Sequence, residues 1–239
     1  MSPPDHDHDP APHPDPQAAF DDAAAIASYA DRTRRLVPGW DDLQKMVTLL
    51  VAEAAPGPAT VLVVGAGGGV ELNAMARARA DWRFVGVDPS APMLQMARAT
   101  LGPLAERVAF HEGYVDTAPE DPCDAATCLL TMHFVPHARR LPTLREIHRR
   151  LKPGAPFVMA HMSFPQSPEE RPLWLARYVA FAVASGVAPE NARRAALAIG
   201  TSLPLLGPDD EEALLAQAGF SGTRVFYAGL AFRGWIARA

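Results

Sequence analysis

Val61-Leu62-Val63-Val64-Gly65-Ala66-Gly67-Gly68-Gly69-Val70-Glu71-Leu72 decides the fold of this chain. The four apolar residues at its start, mostly β-branched, read as a strand buried in a parallel sheet. A glycine turn follows, and Glu71 to Ala80 reads as a helix. Trp82-Arg83-Phe84-Val85-Gly86-Val87-Asp88 then reads as a second strand ending in a carboxylate. A tight turn at a strand's carboxyl end brings backbone N–H groups close to a ligand. An acidic residue at the tip of the neighbouring strand can take both hydroxyls of a ribose. The pattern predicts an adenosine-containing cofactor.

The glycine spacing narrows the choice. The dinucleotide fingerprint G-x-G-x-x-G needs a glycine where Val70 stands, which counts against a nicotinamide-dependent oxidoreductase. What stands is G-x-G-x-G at Gly65, Gly67 and Gly69. Such a turn alone also suits a ligand-free strand–helix junction. Asp88, at the distance expected of a ribose ligand, favours the binding site.

Working outward, strands are predicted near Thr60–Gly65, Arg83–Asp88, Val108–Glu112, Ala125–Thr131 and Phe157–His161, alternating with helices. That alternation predicts an α/β, doubly wound sheet. Residues 1–19, rich in proline, aspartate and histidine, cannot build a core and read as a disordered tail. Its histidines and aspartates lack any fixed geometry, so no metal site is expected there or elsewhere. Residues 20–55 read as a helical leader and 56–239 as the main domain, interrupted by a helical, aromatic-rich insertion at about 165–207. Asp209–Ala218 resumes as a helix, and two strands flanking Gly229 read as an antiparallel hairpin.

The chain has 239 residues, 49% of them hydrophobic, which suits one α/β domain with a modest insertion. A formal net charge of −5 argues against a nucleic-acid-coating surface. Cys123 and Cys128 lack metal-ligand or redox spacing and read as incidental thiols. No apolar run is long enough to cross a membrane, and the N-terminus lacks the apolar core of a signal peptide, so a cytoplasmic protein is expected.

The order VLVVGAGGGVEL, FVGVDPSAPMLQMAR, DAATCLLTMHFVP and LREIHRRLKPGAPFVMAHM resembles the class I S-adenosylmethionine-dependent methyltransferases over about residues 55 to 165. The ending LLGPDDEEALLAQAGFSGTRVFYAGLAFRGWIARA fits the same family. The resemblance implies a seven-stranded Rossmann-like sheet with a C-terminal antiparallel hairpin and a helical lid, and S-adenosyl-L-methionine as cofactor. Within the family the leader FDDAAAIASYADRTRRLVPGWDDLQKM and the ending FYAGLAFRGWIARA are most similar to the carboxy-S-adenosylmethionine synthases of tRNA wobble-uridine modification. That similarity places Trp40 where a cofactor-touching tyrosine stands. It places Gly65, Ala66 and Gly67 at the methionine end and Asp88 and Pro89 on the ribose; Gly69 and Met93 are further candidate cofactor residues. Tyr114 and Val115 stand where an Asp-Ile pair binds adenine, and Leu129 where the family has an asparagine. The family's carboxylate-gripping arginine aligns securely with neither Arg193 nor Arg194. These departures point to ordinary S-adenosylmethionine and a different substrate.

Methyl transfer from a sulfonium needs in-line positioning above all, and a base only for an acceptor whose proton has a high pKa. His133, after the fourth strand, and His161, ending the fifth, are the candidate bases, each with a buried structural histidine as the competing reading. Trp174, Tyr178 and Phe181 share one helix face, as a core stripe or as a lid that closes with Trp40 over an apolar acceptor. Asp116 reads as a turn residue, and the arginine pairs at 139/140 and 149/150 as solvated helix charges. The expected function is methyl transfer to a small, apolar or aromatic acceptor, without direct nucleic-acid or membrane contact. The family's habits allow a homodimer. The alternatives are a carboxylated-cofactor synthase and a non-catalytic S-adenosylmethionine-binding protein.

Overall fold

The computed structural model describes residues 29–239. The expected tail at 1–19, with its histidines, and the start of the leader lie outside the described residues. The chain runs α1 (Tyr29–Leu36), α2 (Trp40–Ala54), β1 (Ala59–Val64), α3 (Val70–Ala78), β2 (Trp82–Asp88), α4 (Ala91–Leu101) and β3 (Val108–Glu112). It continues with β4 (Ala125–Leu129), α5 (His137–Arg149), β5 (Pro156–Met162), α6 (Glu170–Ala184), α7 (Pro189–Ser202), α8 (Pro208–Ala218), β6 (Ser221–Gly229) and β7 (Phe232–Arg238).

The seven strands form one sheet in the order β3-β2-β1-β4-β5-β7-β6. β1 to β5 pair in parallel, while β7 lies antiparallel between β5 and β6. Alternation along β1 explains why helices cover both faces. Val61 and Val63 enter a core with Leu43, Val47 and Val51 of α2 and Leu72 and Met75 of α3. Leu62 and Val64 enter a second core with Leu144 and Ile147 of α5 and Leu215 of α8. The chain reverses between β1 and β4, where strand order switches direction, and a ligand crevice is expected outside the carboxyl ends of those strands. Among the described residues no helix is long and apolar enough to cross a membrane.

The insertion forms the expected helices, but its aromatic stripe faces inward. Tyr178 is buried in the core that Val61 and Val63 enter, and its helix α6 packs against α1. Trp174 packs against that core, stacked on Phe164 at 6.4 Å, with Arg177 and Arg233 over its ring. The stripe is therefore core, and burial of large apolar area decides its direction. The hairpin turns at Leu230 and Ala231, and register shifts at Ser221/Arg224 and Val225/Tyr227 roughen the edge strand β6, which discourages edge-to-edge pairing.

Gly69 shows how tightly α3 approaches α4. Its φ is +71°, and a Cβ there would lie 2.7 Å from the Ala97 Cα and 2.9 Å from its carbonyl oxygen. Both obstacles are backbone, so neither can swing away. Gly69→Ala is expected to lower stability by about 2 kcal/mol or more in urea unfolding. A loss below about 0.5 kcal/mol, the range of a neutral surface change, would contradict this packing.

Candidate functional site

The site is built at the carboxyl ends of β1 and β2. The Gly65 and Ala66 N–H groups both donate to the Val87 carbonyl, at 2.8 and 3.0 Å, so the turn is bonded to the tip of the next strand. Gly65 has φ of +77°, and a Cβ on it would overlap the Thr131 side chain. Gly67 is needed for a different reason: a Cβ there would meet Asp88 Oδ2 at 2.7 Å and Met93 Cε at 2.9 Å. The three glycines of the motif thus serve a turn, a close side-chain approach and a helix packing.

Asp88 is the centre of this arrangement. Its Oδ2 accepts the Gly67 N–H and its Oδ1 the Ser90 N–H, each at 2.9 Å. Each carboxylate oxygen keeps acceptor capacity for a ligand hydroxyl. Burial pushes the carboxyl above its ordinary range, and the two backbone N–H groups pull it partly back. A cavity of about 1010 Å³ opens above it, lined by Gly65, Gly67, Asp88, Pro89, Met93, Tyr114, Val115 and Leu129. That volume reaches the upper end of small-molecule sites, so it can hold a nucleoside cofactor and a second ligand together. The cradle fits S-adenosylmethionine: paired acceptors for ribose hydroxyls at Asp88, and a side-chain-free approach at Gly65 and Gly67 for its amino-acid end.

Three residues expected at the cofactor do not line this cavity. Ala66 is buried behind the turn, Gly69 packs on α4, and Trp40 sits at the start of α2 in the core with Leu43 and Val47. The Trp40 Nε1 has no hydrogen-bond partner among the described residues. Other lining residues carried no sequence signal of their own. They include Thr131, Pro136, His137, Arg139, Ser202 and Pro204. Leu130, also on the wall, holds φ of +52° while its N–H donates to the Ala160 carbonyl at 2.7 Å. That left-handed geometry stores roughly 1 kcal/mol or more at the mouth of the cleft. Asp116 lines the cavity and accepts from Arg139 at 3.1 Å, a partly exposed pair.

Neither candidate histidine is on the cavity wall. Both are buried. The Met162 N–H points at His133 Nδ1, at 3.4 Å, so the ring's lone pair faces the β5 backbone. His161 Nδ1 lies 3.1 Å from the Met162 carbonyl, which can only accept, so that nitrogen carries the hydrogen. His161 Nε2 lies 3.6 Å from Glu211 Oε2. Desolvation holds both imidazoles below their ordinary value, His133 well below it, with the neighbouring His161 and Arg140 charges adding to the effect on His133. Arg140 is also fully buried, contrary to the expectation of a solvated charge, and donates to Glu211 Oε1 and to the Val135 and Pro204 carbonyls. Arg150, likewise buried, donates to the carbonyls of Asp116, Ala118 and Pro119 and braces the segment beside Tyr114.

Glu71, in the first turn of α3, is buried near Thr127, and desolvation pushes its carboxyl up to about 8. The pH dependence of stability follows. Below about 6.5 the unfolded chain takes up protons on both imidazoles more readily than the fold does, so acid destabilises the fold, more through His133 than through His161. Glu71 acts in the opposite sense, ionising above 4.5 when unfolded and near 8 when folded, so stability declines as pH rises between those values. Glu71→Gln is expected to unfold at a higher temperature than the parent at pH 8, with the gap shrinking towards pH 5. Thermal unfolding across pH measures this, and a gap independent of pH would contradict it.

Comparison with known proteins agrees with this geometry. Residues 61–154 match the family model described as "Methyltransferase domain". The carboxy-S-adenosyl-L-methionine synthase of Campylobacter lari is 28% identical over 58% of this chain, and the match spans 59% of that enzyme's length. The synthase of the same name from Chromohalobacter salexigens is 26% identical over 90% of this chain and 82% of its own. A structure of an S-adenosylmethionine-dependent methyltransferase from Aquifex aeolicus superposes with a TM-score of 0.62 at 18% identity, covering 91% of this chain and 98% of that one. That last likeness shows the fold, which carries the expected seven strands and terminal hairpin. Residues 61–154 thus match a methyltransferase domain within a sheet of the methyltransferase fold, and the curated relatives that the chain resembles are carboxy-S-adenosyl-L-methionine synthases.

Proposed function

We propose that this chain transfers a methyl group from S-adenosylmethionine to a small acceptor bound beside it in the same cleft. The observation that carries the reading is the continuous cavity running from Asp88 and the glycine turn to Leu130, Pro136 and Pro204. S-adenosylmethionine supplies a methyl already activated by the sulfonium charge. The chain's own residues bind and orient. Asp88 takes the ribose, Gly65 and Gly67 leave room for the amino-acid end, and the Val115 backbone stands beside the adenine position. The expected bases, His133 and His161, have their ring nitrogens turned towards the β5 backbone and Glu211, which supports catalysis by positioning. His137, the first residue of α5, is an imidazole on the cavity wall. Phe134, Val135, Pro136 and Pro142 give an apolar stretch of wall beside Arg139, Arg145 and Glu146, and that apolar stretch supports an apolar or aromatic acceptor.

The names of the relatives favour a second reading, a synthase of the carboxylated cofactor. Two features weigh against it. Arg193 and Arg194 are exposed on α7, away from the cavity, with Arg194 bonded to Asn191 at 2.7 Å. Leu129 offers the cleft no polar group.

Mass spectrometry of ligand released from the purified protein separates the two readings. The expected mass is that of S-adenosylmethionine or S-adenosylhomocysteine, and a ligand heavier by one carboxyl group establishes the synthase reading instead. Conversion of bound cofactor to S-adenosylhomocysteine with an added acceptor distinguishes the enzyme from a binding protein. Asp88→Ala is expected to weaken S-adenosylhomocysteine binding by about 2–3 kcal/mol, the loss of charge-assisted bonds to two hydroxyls. Calorimetric titration reads this, and unchanged affinity in the folded variant would remove Asp88 from the site.

A further inference from the structure

The far side of the cleft is held by side chains rather than by a strand ladder. The strap at residues 203–207 leaves α7 and enters α8, and its Pro204, with Ser202 before it, lines the cavity. The adjoining part of the wall is the loop after β4, where Leu130, Val135 and Pro136 line the same cavity. Arg140 lies between them, with no exposed surface. Its Nη2 donates to the Pro204 carbonyl at 2.5 Å and its Nε to the Val135 carbonyl at 3.2 Å. Its remaining Nη1 donates to Glu211 of α8, one turn beyond the strap. A second tie holds the strap further along, where Ser163 Oγ donates to the Leu206 carbonyl at 3.0 Å.

We infer that Arg140 is a positioning residue for the acceptor half of the cleft: one buried guanidinium joins the strap to the β4 loop and so fixes the place of the strap in the wall beside the cofactor. This inference rests on the reading of the cavity as the transfer site. Guanidinium geometry is what the position requires. Five N–H donors in one rigid plane can serve two carbonyls and a carboxylate in divergent directions, and an ammonium at the end of a flexible stem cannot hold all three. Glu211 neutralises the buried charge and anchors it to α8. An apolar pair of similar volume would fill the space with little loss of stability, since buried ion pairs repay only part of their desolvation. It would leave the two wall carbonyls unjoined. Position of the wall, rather than stability of the fold, is what the ion pair supplies.

The test uses the full chain and two variants, the paired Arg140→Met/Glu211→Leu and the single Arg140→Lys. Hydrogen exchange is followed in peptides covering 203–207 and in peptides covering the glycine turn at 61–70, with and without S-adenosylhomocysteine. The paired variant is expected to unfold cooperatively, with strap exchange at least about tenfold faster and exchange at the glycine turn unchanged. Arg140→Lys should speed strap exchange by at least about threefold, which keeps the inference testable if the paired variant does not fold. S-adenosylhomocysteine should dissociate faster from both. Strap exchange unchanged in a folded variant, or accelerated equally in the strap and the glycine turn, overturns the inference. Failure of the parent protein to bind S-adenosylhomocysteine overturns the cofactor reading instead, and the exchange split between strap and turn is read without ligand.

Discussion

The carboxylate of Asp88 bridges two chain segments that the parallel pairing of β1 and β2 brings side by side. One oxygen holds the Gly67 N–H of the turn after β1, and the other holds the Ser90 N–H at the start of α4. Ser90 in turn caps α4, its hydroxyl oxygen accepting from the Met93 N–H at 3.4 Å. The turn, the β2 tip and the α4 entry are therefore fixed by one side chain. The space that Asp88 and Met93 occupy is the space a Cβ at position 67 would need. The glycine motif and the acidic residue are two halves of one packing constraint, and a ligand that replaces water on the outer lone pairs meets a carboxylate already aimed.

That constraint explains which parts of the chain were legible in its sequence. Strands buried on both faces announce themselves as apolar runs, and β1, β2 and β5 fall within two residues of their expected ends. The glycine turn and Asp88 are local signals at a fixed separation, and the structure places both on the cavity. Local signals fail where two elements compete for one face. Trp174 and Tyr178 have the same spacing whether they cover a core or a cleft, and only the positions of Phe164 and of the core they join settle their direction. Trp40 is drawn the same way: its ring joins the apolar face of α2 instead of reaching the cavity.

Arg140 was illegible for a stronger reason. Its partners are Val135, Pro204 and Glu211, and two of them lie on segments that no helical or strand period connects to α5. An arginine pair on a short helix is ordinarily a solvated face, and Arg139 behaves so, half exposed and paired with Asp116. One residue on, the helix turns Arg140 inward beneath α8. For His133 and His161 the contacts fit the competing reading, a buried structural histidine. The ends of β4 and β5 do reach the cleft, but strand alternation and the following turn direct these two rings to Met162 and Glu211.

The cleft therefore has two halves of different physical character. The cofactor half is held by the Asp88 carboxylate together with backbone groups: Gly65 and Ala66 to Val87, Gly113 to Asp88, and the parallel ladder beneath them. Backbone bonds survive most side-chain changes, so this half can stay constant while the surface around it varies. The other half is closed by a strap tied to the rest of the fold by hydrogen bonds from Arg140 and Ser163 and by Leu205, buried in the core. Side-chain ties are specific to the residues that make them, and a change in either resets the wall. The match to the methyltransferase family ends at residue 154, before β5 and before the insertion and strap. Leu130, Pro136 and Arg140 lie inside that matched segment, whereas Pro204 and Glu211 lie beyond it, so the guanidinium of Arg140 ties the matched segment to a part of the chain outside it.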